Sequence, residues 1–438
     1  MNTPLSTLVT ELYPQLQAWR RDFHHYAESG WLEFRTASLV AEELDRLGYQ
    51  LQLGREVINA EARMGLPSAQ ILAAQEQRAI EQGALAKWLP FFSGGFTGIV
   101  ATLDTGRPGP TIAFRVDMDA LDLNELLHPD HLPFREGFAS CNSGMMHACG
   151  HDGHTTIGLG LARVFKSLEP QLHGRIKLIF QPAEEGTRGA KSMVEAGVVD
   201  DVDFFTAVHI GTGVPAGELV CGSDSFMATT KLDVTFRGVA SHAGAKPEDG
   251  RNALLAAAQA SVGLYAIPHH SEGSSRINVG VLQAGTGRNV IADSAFMKVE
   301  TRGATNEINE FVYQQALNVI QGAATMQGVE YDITLMGAAQ SSQPTQPWVD
   351  YIHRQALSIS ELGSVVDRRE QAAGSEDATY MMERVKSHGG QASYVIFGCE
   401  LGAGHHNEKF DFDEQVLTMA VKTLATLALN LPTFGSKA

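Results

Sequence analysis

Basic residues are scarce: 33 Lys and Arg stand against 50 Asp and Glu in 438 residues, a formal net charge of −17. A chain of that sign gains no counterion-release affinity for nucleic acid and is repelled by anionic membranes, which leaves a small molecule or a peptide as the expected partner. Cysteine is equally sparse. Cys141, Cys149, Cys221 and Cys399 are not closely paired, which argues against a disulfide framework and leaves the thiols free for chemistry. No apolar run approaches the ~20 residues needed to span a bilayer. No pattern of basic start, apolar core and small-residue cleavage site opens the chain either, so the cytoplasm is the expected compartment. There is no internal repeat and no low-complexity tract. Hydrophobic residues nevertheless make up 44%, ample for buried cores, and the length suggests about two or three globular domains.

Against this background one stretch is dense in reactive groups. Met146-His147-Ala148-Cys149-Gly150-His151-Asp152-Gly153-His154 offers a thiol, three imidazoles and a carboxylate, with two glycines that let the backbone turn tightly. Cys149 and His151, two apart, can point the same way from an extended loop and reach one metal ion. Two ligands do not make a site, so further donors are expected at the ends of neighbouring strands.

Leu5, Leu8, Leu12, Leu16 and Trp19 mark one face of a helix over 5–28, and 34–48 reads as another that ends at Gly48. His24 and His25 near the first helix's end read as carbonyl caps. Residues 54–92, rich in Ala, Gln, Glu and Arg, read as a helical insertion without a ligand pattern. Strand-like runs over 98–104 and 111–116 follow, the second delivering Asp117-Met118-Asp119 at its C-terminal end, where open α/β sheets place ligand chemistry. Acidic strand ends are also ordinary solvent-facing caps; thirty residues before Cys149 and His151, this pair favours function. Thr155 to Lys166 has helical spacing, which puts His154 at a helix start, where capping is the simpler role. The strand 176–180 ends in Gln181-Pro182-Ala183-Glu184-Glu185-Gly186. Two adjacent acids at a sheet edge can divide the work, one binding metal and the other moving protons. A further strand, 204–208, carries His209 at its end. Three successive strand ends with a donor are hard to attribute to packing alone.

From about Ser223 to Thr229 the texture changes. Strands over 231–237, 276–283 and 295–301 alternate with helices over 252–265 and 307–325 in the order β-α-β-β-α. This pattern predicts a separate α+β domain at 225–339, inserted into a catalytic α/β domain formed by 1–224 and 340–438, whose mixed sheet is flanked by helices. The last part reads as a helix over 345–361, a helix opened by Gly374-Ser375-Glu376-Asp377, a strand over 392–397, and Gly404-His405-His406-Asn407 ahead of the final helix. The late double histidine supplies a neutral donor.

These motifs taken together, Arg115-x-Asp-Met-Asp-Ala-Leu121, Met146-His-Ala-Cys-Gly-His-Asp152, Phe180-Gln-Pro-Ala-Glu-Glu185, Val208-His209, Ser241-His-Ala243, Asn289-Val-Ile291 and His406, resemble the aminoacylase-type metallopeptidases, in the branch of hippurate and auxin-conjugate hydrolases. The resemblance spans nearly the whole chain. It implies that Cys149, His151, Glu185, His209 and His406 hold two divalent metals with Cys149 bridging, that Glu184 is the general base, and that Asp117 and Asp119 orient the ligands from behind. It implies further that the inserted domain is a lid and dimerisation domain. There His242 reaches the active site of a partner subunit to stabilise the oxyanion, and Asn289 and Arg302 contact substrate. Thiolate and imidazole donors favour zinc on softness, whereas the resemblance favours manganese. Ala292 replaces a usual proline and Asn407-Glu408 replaces a usual Ser-Pro, which leaves His405 and His406 as alternatives. The expected reaction is hydrolysis of the amide bond of an N-acyl amino acid. A broader amidohydrolase or dipeptidase, and a non-catalytic binding subunit, are the rivals. A homodimer, or a heterodimer with a homologous chain, is the expected assembly. An anionic substrate needs local cations in so acidic a protein; Arg302, Arg288 and Lys246 are candidates, each equally readable as a solvated surface charge.

Overall fold

A computed structural model describes residues 4–370 and 374–431. The chain divides into two compact units, one built from the segments before Asp224 and after Ser342, the other from Ser225–Ser341 with the short segment ending at Glu376.

The first unit is organised on strands whose sequences are apolar on both faces. Its strands are β1 (Gln50–Leu53), β2 (Ile99–Asp104), β3 (Thr111–Asp117), β4 (Arg175–Gln181), β5 (Phe204–Ile210) and β6 (Glu218–Asp224), and later β11 (Ser364–Glu370) and β12 (Gln391–Phe397). Every residue of β3 and β5 is buried, as continuous apolar runs in a parallel sheet covered on both sides should be. The eight strands lie in the order β1-β2-β4-β3-β5-β12-β6-β11. The central run β4-β3-β5-β12 is parallel, and antiparallel pairs flank it at β2·β4 and β12·β6. The sheet is therefore mixed. Helices Pro4–His25, His151–Ser167 and Val416–Leu429 pack on one another, and the second of them lies over β3. Helix Ala378–Ser387 packs against β5 and β12, and Ala190–Glu195 packs on that helix.

Close approach explains the small residues of His151–Ser167. A Cβ on Gly158 would stand 2.7 Å from Phe180 Cε1 and 2.9 Å from Val116 Cγ2, and one on Gly160 would stand 2.7 Å from Val421 Cγ2. Glycine lets this helix sit directly on the sheet and against the last helix, which fixes where its first residue, His151, points.

The second unit is a four-stranded antiparallel sheet in the order β10-β7-β9-β8, formed by β7 (Ala228–Arg237), β8 (Ser275–Ala284), β9 (Ser294–Gly303) and β10 (Glu330–Ala339). Helices Ala253–Tyr265 and Asn306–Gln327 cover it through Leu232, Val234, Phe236, Ala256, Ala260 and Ile320. This is the α+β arrangement expected, completed by an edge strand, β10, that the sequence pattern does not reveal.

Two sequence expectations change. The 54–92 segment is not helical throughout: only Ala69–Glu81 and the short Leu89–Phe92 are α-helical. Gly65, Pro67 and Gly83, the last at φ +94, break it, and the Ser68 hydroxyl caps the helix by accepting from the Ile71 amide at 3.3 Å. The 345–361 helix stops at Ala356, and the chain then forms β11. Among the described residues no helix is long and apolar enough to cross a membrane, and all four cysteines are free.

Candidate metal centre

Because β4, β3, β5 and β12 are parallel neighbours, their C-terminal ends open on one edge of the sheet. Asp117 ends β3, the Glu184-Glu185 turn follows β4, His209 lies at the end of β5, and the loop after β12 carries His405 and His406. The Cys149 stretch arrives at the same edge through a bridge between Leu121 and Met146. It turns at Gly150, whose φ of +88 favours glycine, and enters the helix at His151. Among the groups whose ligand atoms all lie within 4.8 Å of one another, three overlap on the expected donors: Cys149, His151 and His209; Cys149, Glu185 and His406; and His151, Glu184 and Glu185. Cys149 Sγ is 3.5 Å from His209 Nε2, Glu185 Oε1 is 3.6 Å from His406 Nε2, and Glu184 Oε2 is 4.0 Å from His151 Nε2.

Hydrogen bonds settle which imidazole nitrogens face this cluster. His209 donates from Nδ1 to the Ile210 carbonyl at 2.8 Å, leaving the Nε2 lone pair toward Cys149. His151 Nδ1 faces Asp119 Oδ1 at 3.4 Å, leaving Nε2 on the cluster side. This is the arrangement in which an acceptor behind the ring fixes tautomer and aim. His154 has no nitrogen to spare: Nδ1 donates to Asp117 Oδ1 at 2.6 Å and Nε2 accepts from the Ile210 amide at 3.0 Å. It is neither the helix cap expected nor a donor to the cluster, but a strut between β3 and β5. His405 Nε2 accepts from the Thr212 amide at 2.9 Å, whereas His406, whose own amide donates to Ala148 O at 2.8 Å, joins the cluster. His147 is buried outside it, with neither ring nitrogen hydrogen-bonded.

Three carboxylates hold the turn that presents Glu184 and Glu185. Glu33 Oε1 accepts the Ala183 amide at 2.8 Å, the two oxygens of Asp119 accept the Glu184 and Glu185 amides at 2.9 Å each, and Asp377 Oδ2 accepts those of Gly189 and Ala190 at 2.9 Å each. Arg115 ties the supports together by donating to Gln181 Oε1 and Asp117 Oδ2 at 2.7 Å each. Side-chain-bearing residues with positive φ gather here: Ala183 at 52°, Thr187 at 61° and His406 at 61°. Such conformations cost on the order of 1 kcal/mol or more and persist where the surroundings over-determine them, as the carboxylates do for the turn that holds Ala183 and Thr187 and the Ala148 carbonyl does for His406.

The electrostatics fit a cation. Burial pushes the Cys149 thiol above its usual range, and the Glu185 charge adds to this. Burial also raises Glu185 despite His151 and His406 nearby. Burial would lower His151 too, but the Asp117 charge and the Asp119 hydrogen bond outweigh it and hold the ring well above its ordinary value. His209 is held well below, by burial first and then by the His154 and His405 rings. Left to themselves the anionic donors take up protons, and a divalent cation reverses that preference. His151 Nε2 and Glu185 Oε1 are buried without a hydrogen-bond partner, a cost in the region of 1–3 kcal/mol per group that coordination removes.

Glu33, Arg115, Gln181 and Asp377 carry no role in the sequence reading: the last three stand there only as members of motifs, and Glu33 not at all. His24 is a correction. Rather than capping carbonyls, it is buried with Nδ1 2.8 Å from Asp152 Oδ2 and Nε2 2.9 Å from Glu125 Oε1, while Arg20 Nε also reaches Asp152, at 3.0 Å. His25 does bond a carbonyl, that of Ala139 at 2.7 Å.

The remaining expected residues lie in the second unit. His242 is exposed and accepts the Gly244 and Ala245 amides on Nδ1 at 3.2 and 3.1 Å. It forms a bridge with Val290, which brings its loop beside Asn289, whose carbonyl accepts the Ala243 amide at 3.0 Å. Arg302, on β9, donates to Glu300 Oε1 at 3.0 Å. Arg288 and Lys246 are exposed, and Lys246 Nζ lies 3.7 Å from Asp249.

The mixed sheet and the Cys/His/Glu cluster at its edge define a metallo-amidohydrolase, and the chain belongs to peptidase family M20/M25/M40, whose model matches residues 113–430. Among its relatives, one of the subunits of the p-aminobenzoyl-glutamate hydrolase of Escherichia coli (strain K12) is 67% identical over 428 residues, 98% of each chain. The indole-3-acetyl-aspartic acid hydrolase of Enterobacter agglomerans is 65% identical over 428 residues, again 98% of each. The crystal structure of an aminobenzoyl-glutamate utilization protein from Klebsiella pneumoniae superposes with a TM-score of 0.87 at 57% identity, covering 100% of both chains. The family resemblance read from the motifs agrees with these findings.

Proposed function

We propose that this chain hydrolyses the amide bond of p-aminobenzoyl-glutamate to p-aminobenzoate and glutamate, with Cys149, His151, Glu185, His209 and His406 holding two divalent cations, manganese or zinc. The observation that carries the reading is the gathering of these donors around Glu184, a carboxylate whose backbone is clamped by Asp119. Bound there, the cations supply Lewis acidity that lowers the pKa of water from about 15.7 to about 7. Glu184 takes the proton of the attacking water and returns it to the leaving nitrogen, a transfer worth roughly 10²- to 10⁴-fold. Asp119 and Asp117 keep the site's geometry through His151, the Glu184-Glu185 turn and Arg115. The second unit acts as lid and dimerisation domain: its His242 reaches the active site of a partner subunit to steady the developing oxyanion, and its Asn289 and Arg302 contact the carbonyl or carboxylate of the substrate. A relative named as one subunit of its enzyme supports a heterodimer with a homologous chain beside a homodimer, and four free thiols in an acidic chain suit the cytoplasm.

A second reading, an arylacyl-aspartate hydrolase, draws on the relative named for indole-3-acetyl-aspartic acid, whose identity is nearly the same. Initial rates on p-aminobenzoyl-glutamate and indole-3-acetyl-aspartate separate the two. Glu184→Gln tests the chemistry under either reading: hydrolysis falls at least a hundredfold while metal content is unchanged. Retained turnover removes Glu184 from the mechanism, and a silent wild-type chain, alone and with its partner, favours a binding subunit.

A further inference from the structure

The segment between β1 and β2 has no part in the chemistry above, yet it builds a cationic feature whose turn is tied to a cluster residue. Arg55 Cζ lies 3.8 Å and Arg63 Cζ 3.7 Å from the ring centroid of Phe96. Two guanidiniums that close to one centroid cannot share a face, so the buried ring is sandwiched between them. Neither arginine pairs with a carboxylate among the described residues, although the chain carries 50 acidic residues. Arg63 donates from Nη1 to Gly94 O at 2.7 Å, and its Nε is buried without a partner. Burial and the Arg55 charge press its pKa down to about 10, as two uncompensated cations should.

The feature is anchored to the metal centre. Arg188 donates from Nε to Glu185 O at 2.7 Å and from Nη1 to Gly65 O at 3.2 Å, so a single guanidinium spans the distance between a cluster residue and the turn that carries Arg63. Trp31 fixes the same turn, its Nε1 donating to Met64 O at 2.8 Å. An exposed cation in an acidic protein ordinarily finds a carboxylate. One held on an aromatic face, without a carboxylate partner, two residues from a turn tied to a cluster residue, is a place kept for an incoming anion.

We propose that Arg63, with Arg55 across the Phe96 ring, determines specificity by receiving the side-chain carboxylate of an acidic leaving amino acid. The proposal rests on the amidohydrolase reading for its substrate, but not for the binding of a dicarboxylate.

The test uses the full chain, Arg63→Met and Arg63→Lys. Steady-state kinetics compare p-aminobenzoyl-glutamate with its neutral isostere p-aminobenzoyl-glutamine. Arg63→Met is expected to raise KM for the glutamate conjugate tenfold or more with kcat and metal content unchanged, to leave the glutamine conjugate within twofold, and to be partly rescued in Arg63→Lys. Equal losses on both conjugates mean that the sandwich only holds the fold, and no loss on the glutamate conjugate removes Arg63 from recognition; either overturns the proposal. A second arm does not depend on turnover. Glutarate should raise the melting temperature of the wild-type chain more than butyrate does, and Arg63→Met should abolish that difference; absence of a difference in wild type, or its persistence in the variant, overturns the proposal. If the wild-type chain cleaves none of the conjugates, the proposed reaction falls while the glutarate comparison still decides the arginine site.

Discussion

Asp119→Asn is the sharpest test of how the centre is held, because the substitution changes charge and hydrogen-bond polarity with almost no change of shape. Three donors converge on the two carboxylate oxygens: the Glu184 amide and His151 Nδ1 face Oδ1 at 2.9 and 3.4 Å, and the Glu185 amide faces Oδ2 at 2.9 Å. Asparagine has one acceptor. In either amide orientation its NH₂ group confronts at least one backbone N–H, leaving a buried donor against a donor at a cost of roughly 1–3 kcal/mol, about 5- to 150-fold in an equilibrium constant. The loss falls on the geometry of His151 and Glu185, and removal of an outer carboxylate of this kind typically weakens metal affinity roughly 10- to 100-fold. Competition against a fluorescent chelator measures affinity, and turnover at saturating metal separates weakened binding from misplaced chemistry. Asp119→Asn with wild-type affinity and wild-type turnover would refute the claim that Asp119 organises both the His151 ring and the Glu184-Glu185 turn.

Cys149→Ser, which exchanges a thiolate donor for a poorly ionised hydroxyl, is expected to lower metal content by at least one ion per chain and to abolish hydrolysis, as read by elemental analysis and rate on the same preparation. The buried His24 brings a pH dependence: burial lowers its pKa, but Asp152 and Glu125 raise it to about 9 from an ordinary 6.5. A folded value above the unfolded one stabilises fully below pH ~6.5 and is lost as pH rises through ~9, on the order of 3 kcal/mol. The melting-temperature advantage of wild type over His24→Gln should therefore shrink between pH 6 and about pH 9.5; a constant or growing advantage contradicts the assignment. Gly158→Val drives a side chain into Phe180 and Val116 and should cost about 1–3 kcal/mol, seen by calorimetry as a fall of several degrees.

The cluster's donors were legible because each lies at the end of a continuous apolar strand or in a short motif, and a parallel sheet brings all such ends to one edge. His405 and His406 could not be told apart from sequence: both are adjacent imidazoles on one loop, and only the Thr212 amide, 193 positions from His405, commits one of them elsewhere. The supports were illegible for the same reason. Glu33 and Asp377 act on backbone amides 150 and 188 positions away, and an isolated acid carries no sign of such a partner. His24 was misread because a helix end explains a histidine locally, whereas its partner Asp152 stands 128 residues on. The strands missed have physical excuses too. β1 has four residues, QLQL, at one sheet edge; β11, SVVDRRE, lies at the other; and β6 ends in Gly222, Ser223 and Asp224. The break-up of 54–92 turned on Gly65, Pro67 and Gly83, whose weight a helix-rich composition concealed.

Anomalous diffraction from crystals of the full chain grown with manganese tests the central claim most directly. Two peaks are expected, both in contact with Cys149 Sγ and sharing His151, Glu185, His209 and His406 between them. A single peak, or peaks that leave Cys149 and Glu185 without an ion, would contradict it.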